Sequence, residues 1–215
     1  MTSFEILQRC ITSAEGLSAF LGILFYNKVK STYWKYFAWY CILIFLNEVI
    51  SLFVLKNYLE FKKYFFDIYA IPIQFIFFFW LYALKSLKNV TLFKFSIFIY
   101  FISFLPHLFY EKEHGLINSM SYTIACLILL VLCVLEFKKQ VISDDIIYFK
   151  TNKMFYINLG VLLFYVGTMP FYAFMQYFYN NHPVVFVVYK YYSISVGILM
   201  YLLFSASFIW GKSKT

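Results

Sequence analysis

Seven apolar stretches separated by short polar gaps make up almost the whole of this 215-residue chain. Each stretch is about 20 residues long, the length that an α-helix needs to cross the hydrocarbon core of a bilayer. The runs are continuously apolar and too long for the alternating strands, of about ten residues, of a transmembrane barrel. The pattern predicts an all-α bundle of seven membrane-spanning helices in one domain, residues 1–215. The predicted spans are 7–27, 34–56, 64–84, 91–110, 116–136, 154–178 and 184–210.

The first stretch is the least regular of the seven, because Glu15 and Gly16 interrupt it. If it did not cross the membrane, only the N-terminus would change side. The stretch carries Ala14, Ser18 and Gly22 at four-residue spacing, and such small side chains let a second helix approach closely. We expect them to pack inside the bundle, with pairing between two copies of the chain as the alternative.

Three prolines, Pro72, Pro106 and Pro170, lie within or near the ends of apolar stretches. Each removes a backbone donor and is expected to kink its helix. Such kinks often open space near a functional site, and they also occur in purely structural bundles.

The basic residues predict an orientation, because cationic loops resist translocation and stay in the cytoplasm. Of the eighteen Lys and Arg residues, twelve lie in the odd-numbered gaps and the C-terminal tail: Lys28, Lys30, Lys35, Lys85, Lys88, Lys94, Lys138, Lys139, Lys150, Lys153, Lys212 and Lys214. The N-terminus and the even-numbered gaps hold only Arg9, Lys56, Lys62, Lys63 and Lys112, and the remaining one, Lys190, lies inside the last stretch. The N-terminus is therefore predicted outside and the C-terminus in the cytoplasm, with the chain in the cytoplasmic (inner) membrane.

Composition supports a membrane location. The chain is 63% apolar and only 13% charged, which is too few polar groups to cover a water-soluble domain of this size. Attraction between the cytoplasmic lysines and anionic lipid headgroups accounts for the net charge of +8, so we predict no direct binding to nucleic acid. The four cysteines fit apolar packing, and three scattered histidines do not resemble a zinc site. We expect no metal and no cofactor.

Polar residues inside the stretches are the candidate functional residues, since such groups are expensive to place in hydrocarbon. With the predicted orientation they lie in the outer halves of the helices, and the inner halves hold almost none. This set comprises Glu15, Asn47, Glu48, Asp67, Gln74, His107, Lys190 and Ser193.

Glu48 is the most informative member of this set, because a carboxyl group at its depth must be protonated, paired or in contact with water. Lys190 is the counter-charge at a compatible depth, and Glu15 is a competing partner. We predict a Glu48–Lys190 pair beside an outward-facing ligand site; a pair that only fixes helix register is the alternative. Asp67 and His107 are shallow enough to be solvated at the interface.

The longest gap lies on the predicted cytoplasmic side, at about residues 137–153. Its apolar residues roughly follow a helical stripe, which favours a helix lying in the interface. The gap offers a candidate surface for a cytoplasmic signalling partner, formed by Lys138, Lys139, Asp144 and Asp145. The alternative interpretation of the two adjacent carboxylates, Asp144 and Asp145, is a turn exposed to solvent with no binding role.

Known membrane enzymes and transporters fit the chain poorly. The last stretch lacks the histidine pair that seven-helix zinc amidohydrolases carry there, and Ser193 and Ser195 lack the partner of a serine nucleophile. Lys190 lies too near the outer end to be a retinal-binding lysine. No internal repeat of the kind found in transporters is visible, and we predict no catalytic residues.

Two segments near the C-terminus, NLGVLLFYVGTMPFYAFMQYF and YKYYSISVGILMYLLFSASFIW, and the Asn47–Glu48 pair resemble small orphan seven-helix membrane proteins of AT-rich bacterial genomes. The likeness extends along most of the chain and implies an integral membrane protein with a sensory role. A fainter similarity is to the small multi-spanning accessory proteins of type VI CRISPR loci, which implies a role in antiviral defence at the membrane.

The sequence favours a non-enzymatic membrane sensor that binds a small or lipidic ligand from the outside and signals to a cytoplasmic protein. The alternative is an oligomeric effector or accessory of an antiviral defence system that perturbs the membrane. A third hypothesis is a lipid-modifying enzyme with Glu48 and Asp67 as an acid/base pair.

Overall fold

The computed structural model describes residues 2–105 and 119–212, which are helical and contain no strand. The all-α prediction is confirmed. A short helix, Tyr26–Val29, connects the first two long helices. The main helices are α1 (Ser3–Leu24), α2 (Trp34–Phe53), α3 (Glu60–Ser86), α4 (Val90–Ile102), α5 (Ser119–Ile142), α6 (Lys153–Ala173), α7 (Met175–Asn181) and α8 (Pro183–Trp210).

Five of these helices, α2, α3, α5, α6 and α8, are long and apolar enough to cross a membrane. Many large apolar side chains point outward from them, such as Phe53, which is 80% exposed. Apolar surface of this extent fits contact with lipid. Two predicted spans fall short of the same standard: α1 contains polar residues such as Arg9 and Glu15, and α4 has only 13 residues within the described range.

Two prolines lie next to local widenings of their helices. The π-helical turn Phe65–Ala70 comes directly before Pro72, and the π-helical turn Leu162–Val166 comes just before Pro170. A proline cannot donate to the carbonyl group four residues earlier, so the preceding turn adopts the wider spacing. Pro106 lies outside the described residues.

The sixth predicted span, 154–178, is not one continuous helix. Phe174 has backbone angles of φ −114° and ψ 20°, and it separates α6 from α7. The break follows Pro170 by one turn, and the Phe174 amide group donates a hydrogen bond of 3.2 Å to the Pro170 carbonyl group at this end of α6.

The predicted interfacial helix in the longest gap is absent from the structure, where α5 continues to Ile142 and residues 143–148 form turns. Asp144 has a positive φ of 55°, a conformation that Asp tolerates better than most residues. The helix therefore ends at this turn, and the solvated-turn alternative describes Asp144 and Asp145 better.

The chain forms two compact units. The first comprises the described parts of Met1–Val54, Phe137–Phe164 and Tyr191–Thr215. The second comprises the described parts of Leu55–Glu136 and Tyr165–Lys190.

In the first unit, α1 runs antiparallel to α2. A Cβ atom on Gly22 would lie 3.4 Å from the Cα atom of Ala38, and one on Gly16 would lie 3.1 Å from the ring of Phe45. Ala14, Ser18 and Gly22 are all buried on α1. The small-residue stripe therefore packs inside the bundle, as predicted.

The same α1 runs parallel to α8. The rings of Phe4 and Tyr191 lie 5.6 Å apart between centroids, and a Cβ atom on Gly197 would lie 2.8 Å from the Ile11 Cδ1 atom. Both pairs have nearly the same offset in residue number, as two parallel helices require. In this unit α8 also contacts α2, because the ring of Phe37 packs on that of Phe204 at 5.2 Å.

Aromatic rings form the core of the second unit. Phe75 is fully buried and lies 5.7 Å from Tyr100, 5.4 Å from Tyr122 and 5.1 Å from Tyr165 between ring centroids. These distances lie in the range that aromatic pairs favour, and each pair adds roughly 0.5–1.5 kcal/mol beyond the burial of area. One ring of α3 thus holds three other helical segments of the unit together.

The α1–α2 contact generates the first testable prediction. Gly22→Leu should lower the melting temperature in detergent, since overpacking a close helix contact costs about 1–3 kcal/mol. Gly22→Ala should leave it near that of the wild type, because a Cβ atom meets Ala38 at ordinary van der Waals distance. Equal melting temperatures for the two variants would contradict the described packing, and Phe20→Leu on the exposed face of α1 serves as the control.

Candidate functional site

Glu15, Glu48 and Tyr201 come together in the first unit, one from each of α1, α2 and α8. Glu15 is only 7% exposed. Its carboxyl group is hydrogen-bonded to the Tyr201 hydroxyl group and interacts electrostatically with the Glu48 carboxyl group. We define these three residues as the carboxyl cluster.

The helix registers explain why these residues meet. The antiparallel α1–α2 contact that pairs Gly16 with Phe45 also places Glu15 near Glu48, one turn further along α2. The parallel α1–α8 contact that pairs Ile11 with Gly197 places Glu15 beside Tyr201, one turn further along both helices. The meeting of two carboxyl groups therefore follows from packing at small residues.

The carboxyl cluster has hydrogen-bonding capacity that the described residues do not use. The Glu15 Oε2 atom is buried and has no hydrogen-bond partner among residues 2–105 and 119–212, and the same holds for the Nδ2 atom of Asn47, beside Glu48 on α2. A buried polar group left in this state costs about 1–3 kcal/mol. Glu48 is only half-buried, so one member of the cluster stays accessible.

The carboxyl cluster as defined does not include two other predicted members of the site, Ser193 and Lys190. Ser193 is buried but precedes Tyr201 by eight residues on α8, about 12 Å along the helix axis. Lys190 is exposed and belongs to the second unit, whereas Glu48 belongs to the first. The Glu48–Lys190 pair stays a prediction.

The second unit holds Asp67 and Gln74, two turns apart on α3. The hydroxyl group of Tyr165 donates a hydrogen bond of 3.0 Å to the Gln74 Oε1 atom, and Asp67 is buried and interacts electrostatically with Tyr100. Burial of Asp67 favours a structural or binding role over simple solvation. His107 lies outside the described residues.

Sequence reasoning missed a second set of buried polar residues, at the helix ends that adjoin the odd-numbered gaps. Glu136 is only 1% exposed, and the Ser86 hydroxyl group donates to its Oε2 atom at 2.6 Å. These residues therefore add a second group of buried polar side chains to the candidates recognised from the sequence. The buried set also includes Gln140, Lys153 and Asn158.

The reason for this omission is the length of α5. The fifth predicted span ends at residue 136, whereas the helix continues to Ile142, so Glu136 lies well inside it. A signal was present in the sequence: Leu129, Leu132, Cys133, Glu136 and Gln140 follow helical spacing, and all five are buried on one face.

Lys153 is the second notable residue of this set. It begins α6 and is only 5% exposed. Its Nζ atom lies 6.0 Å from the ring centroid of Trp34 and 5.8 Å from that of Phe208. A Cβ atom on Gly211 would overlap the Lys153 side chain, so the absence of a side chain at position 211 allows this close approach.

The predicted partner surface is accessible. Lys138, Lys139 and Asp144 are exposed, and Asp145 is half-buried. Lys212 lies near the same gap, because its amide group donates a hydrogen bond of 2.8 Å to the Thr151 carbonyl group. The C-terminal tail and the long gap therefore meet at one end of the first unit.

Three of the four cysteines, Cys41, Cys126 and Cys133, are buried, in line with apolar packing, while Cys10 is exposed. Within residues 2–105 and 119–212, no three His, Cys, Asp or Glu side chains converge as a metal site would require. The carboxyl cluster is thus the candidate site with the clearest unused binding capacity.

A double-mutant cycle tests the central hydrogen bond of the cluster. Tyr201→Phe should destabilise the protein by about 1–3 kcal/mol, because it deprives a buried carboxyl group of its donor. In a Glu15→Met background the same substitution should cost much less. Thermal unfolding in detergent measures both effects, with Tyr148→Phe on the surface as the control. Additive losses would argue against the bond.

No family model, curated protein or solved structure matches this chain. The resemblances noted from the sequence stay predictions, and the interpretation of the site depends on its own residues.

Proposed function

We propose that this protein is a non-enzymatic sensor of the cytoplasmic membrane, with seven crossing helices, an outer N-terminus and a cytoplasmic C-terminus. It binds a small or lipidic ligand at the carboxyl cluster and signals through its cytoplasmic loops. The observation that carries this proposal is the buried Glu15 carboxyl group, which lies near a second carboxyl group and has an oxygen atom without a partner among the described residues.

The packing of α1 supports a membrane-crossing first helix. Its 22 residues span about 33 Å, close to the thickness of a bilayer core. Phe4 and Ile11 contact α8, and Gly16 and Gly22 lie against α2; both of these helices are long and apolar enough to cross. Contact with two such helices along its length supports a crossing path for α1. The seventh crossing in the proposal is α4, whose predicted span continues beyond the described residues.

The chemistry of the cluster favours a ligand that carries an ammonium group. Two neighbouring carboxyl groups repel each other when both are ionised. An ammonium group relieves that repulsion and donates a hydrogen bond to the Glu15 Oε2 atom. The apolar helices around the cluster favour a hydrocarbon body on the ligand, so we propose a lipidic amine as the ligand class.

The helix α8 offers a route from this site to the cytoplasm. Tyr201 belongs to the carboxyl cluster, and Phe208 is two turns further along and contacts Lys153 at the start of α6. A helix is stiff over two turns, so a shift at Tyr201 moves the end of the long gap. The exposed residues of this gap are the proposed partner surface.

Cysteine labelling tests the topology. In a variant without native cysteines, Asn57→Cys should react with an impermeant maleimide in intact cells, and Lys88→Cys should react only after permeabilisation. Thr2→Cys should behave like Asn57→Cys, because seven crossings place the N-terminus outside. Labelling of Thr2→Cys only after permeabilisation would exclude a crossing α1.

Ligand-induced stabilisation tests the binding site. Dodecylamine should raise the melting temperature of the purified protein more than dodecanol does, because only the amine supplies a charged donor. Glu48→Gln should remove this difference, while Glu60→Gln at an exposed position should keep it. Equal effects of amine and alcohol on the wild type would refute the ligand class. In a separate test, influx of a dye into cells that express the protein would favour the alternative of an oligomeric effector that perturbs the membrane.

A further inference from the structure

Lys153 is a buried cation without a counter-charge in the described part of the chain. It is nine-tenths buried, and the described residues offer its ammonium group two aromatic rings and neither a carboxylate nor a hydrogen-bond acceptor. Its other electrostatic neighbour is Lys28, which carries the same charge. The surroundings therefore add positive charge and supply no negative group.

Aromatic rings alone compensate poorly for this burial. Both ring centroids lie near the outer limit of useful cation–π contact, which is about 6 Å. Burial of most of the side chain takes part of the water away from the ammonium group, and such contacts offset this loss only in part. An anion at this position would supply the missing charge for Lys153 and reduce its repulsion from Lys28.

The location identifies the kind of anion. Trp34 and Lys153 begin α2 and α6, so both lie at the ends of membrane-crossing helices, where headgroups meet the hydrocarbon. Basic sites between helices on the cytoplasmic side commonly bind the headgroups of acidic lipids. A phosphate group matches an ammonium group as a hydrogen-bonded ionic partner.

We propose that Lys153, between Trp34 and Phe208 and beside Lys28, forms a binding site for the phosphate group of an anionic phospholipid. Lys28 disfavours a zwitterionic lipid, whose cationic headgroup would add a third positive charge. The glycine at position 211 lets the backbone at the end of α8 lie against the Lys153 side chain. The residues that support this site are not those of the carboxyl cluster, so the proposal holds whether or not that cluster binds a ligand.

A titration of delipidated protein, followed by native mass spectrometry, tests the proposal. Phosphatidylglycerol should bind more tightly than phosphatidylcholine, and Lys153→Met should weaken its binding roughly tenfold, because one charge-assisted contact is lost. Lys153→Arg should restore much of the affinity. Lys150→Met, at an exposed position in the same segment, should bind as the wild type does.

Further arms of the experiment separate the sources of phosphate and guard against misfolding. One contrary result is that inorganic phosphate binds in a Lys153-dependent way while phosphatidylglycerol binds no more tightly than phosphatidylcholine. In that case free phosphate occupies the site, and the proposal of a lipid site is overturned. Lys28→Met alters an exposed residue and should also weaken phosphatidylglycerol binding. Wild-type affinity in both Lys153→Met and Lys28→Met would overturn the proposal.

Discussion

The contact of α1 with two neighbouring helices is the constraint on which the first unit depends. Small residues on α1 let α2 approach, and Gly197 on α8 accepts the side chain of Ile11. Once these contacts are made, the register along α1 is fixed and Glu15 has no freedom to avoid Glu48 and Tyr201. The carboxyl cluster is thus a consequence of backbone proximity, which explains how an expensive polar group stays inside an apolar bundle.

The sequence predicted the helical architecture well because continuous apolar runs of this length have few other solutions in a membrane. It also predicted the role of the small-residue stripe, since Ala14, Ser18 and Gly22 define one helix face without any further information. It did not predict the break at Phe174. That break depends on the backbone angles of Phe174, a residue that continues the apolar run of the sequence without interruption.

The candidate site was only partly predictable. Glu15 and Glu48 were recognised from their cost in hydrocarbon, but Tyr201 was just one of 21 tyrosines until the α1–α8 register placed it beside Glu15. Glu136 was overlooked because the fifth span was predicted to end there. Burial depends on which face of a helix packs against a neighbouring helix, whereas the hydropathy of a segment is an average over all of its faces.

Buried polar groups at two levels of the first unit make α8 its most informative element. The helix carries Tyr201 in the carboxyl cluster and Phe208 beside Lys153, two turns apart. One cluster brings two carboxyl groups together, and the other brings the ammonium group of Lys153 near that of Lys28. A continuous helix connects the two. If each site binds the ligand proposed for it, occupation of one changes the free energy of the other whenever it moves α8, and such coupling is the physical basis that the proposed sensor requires.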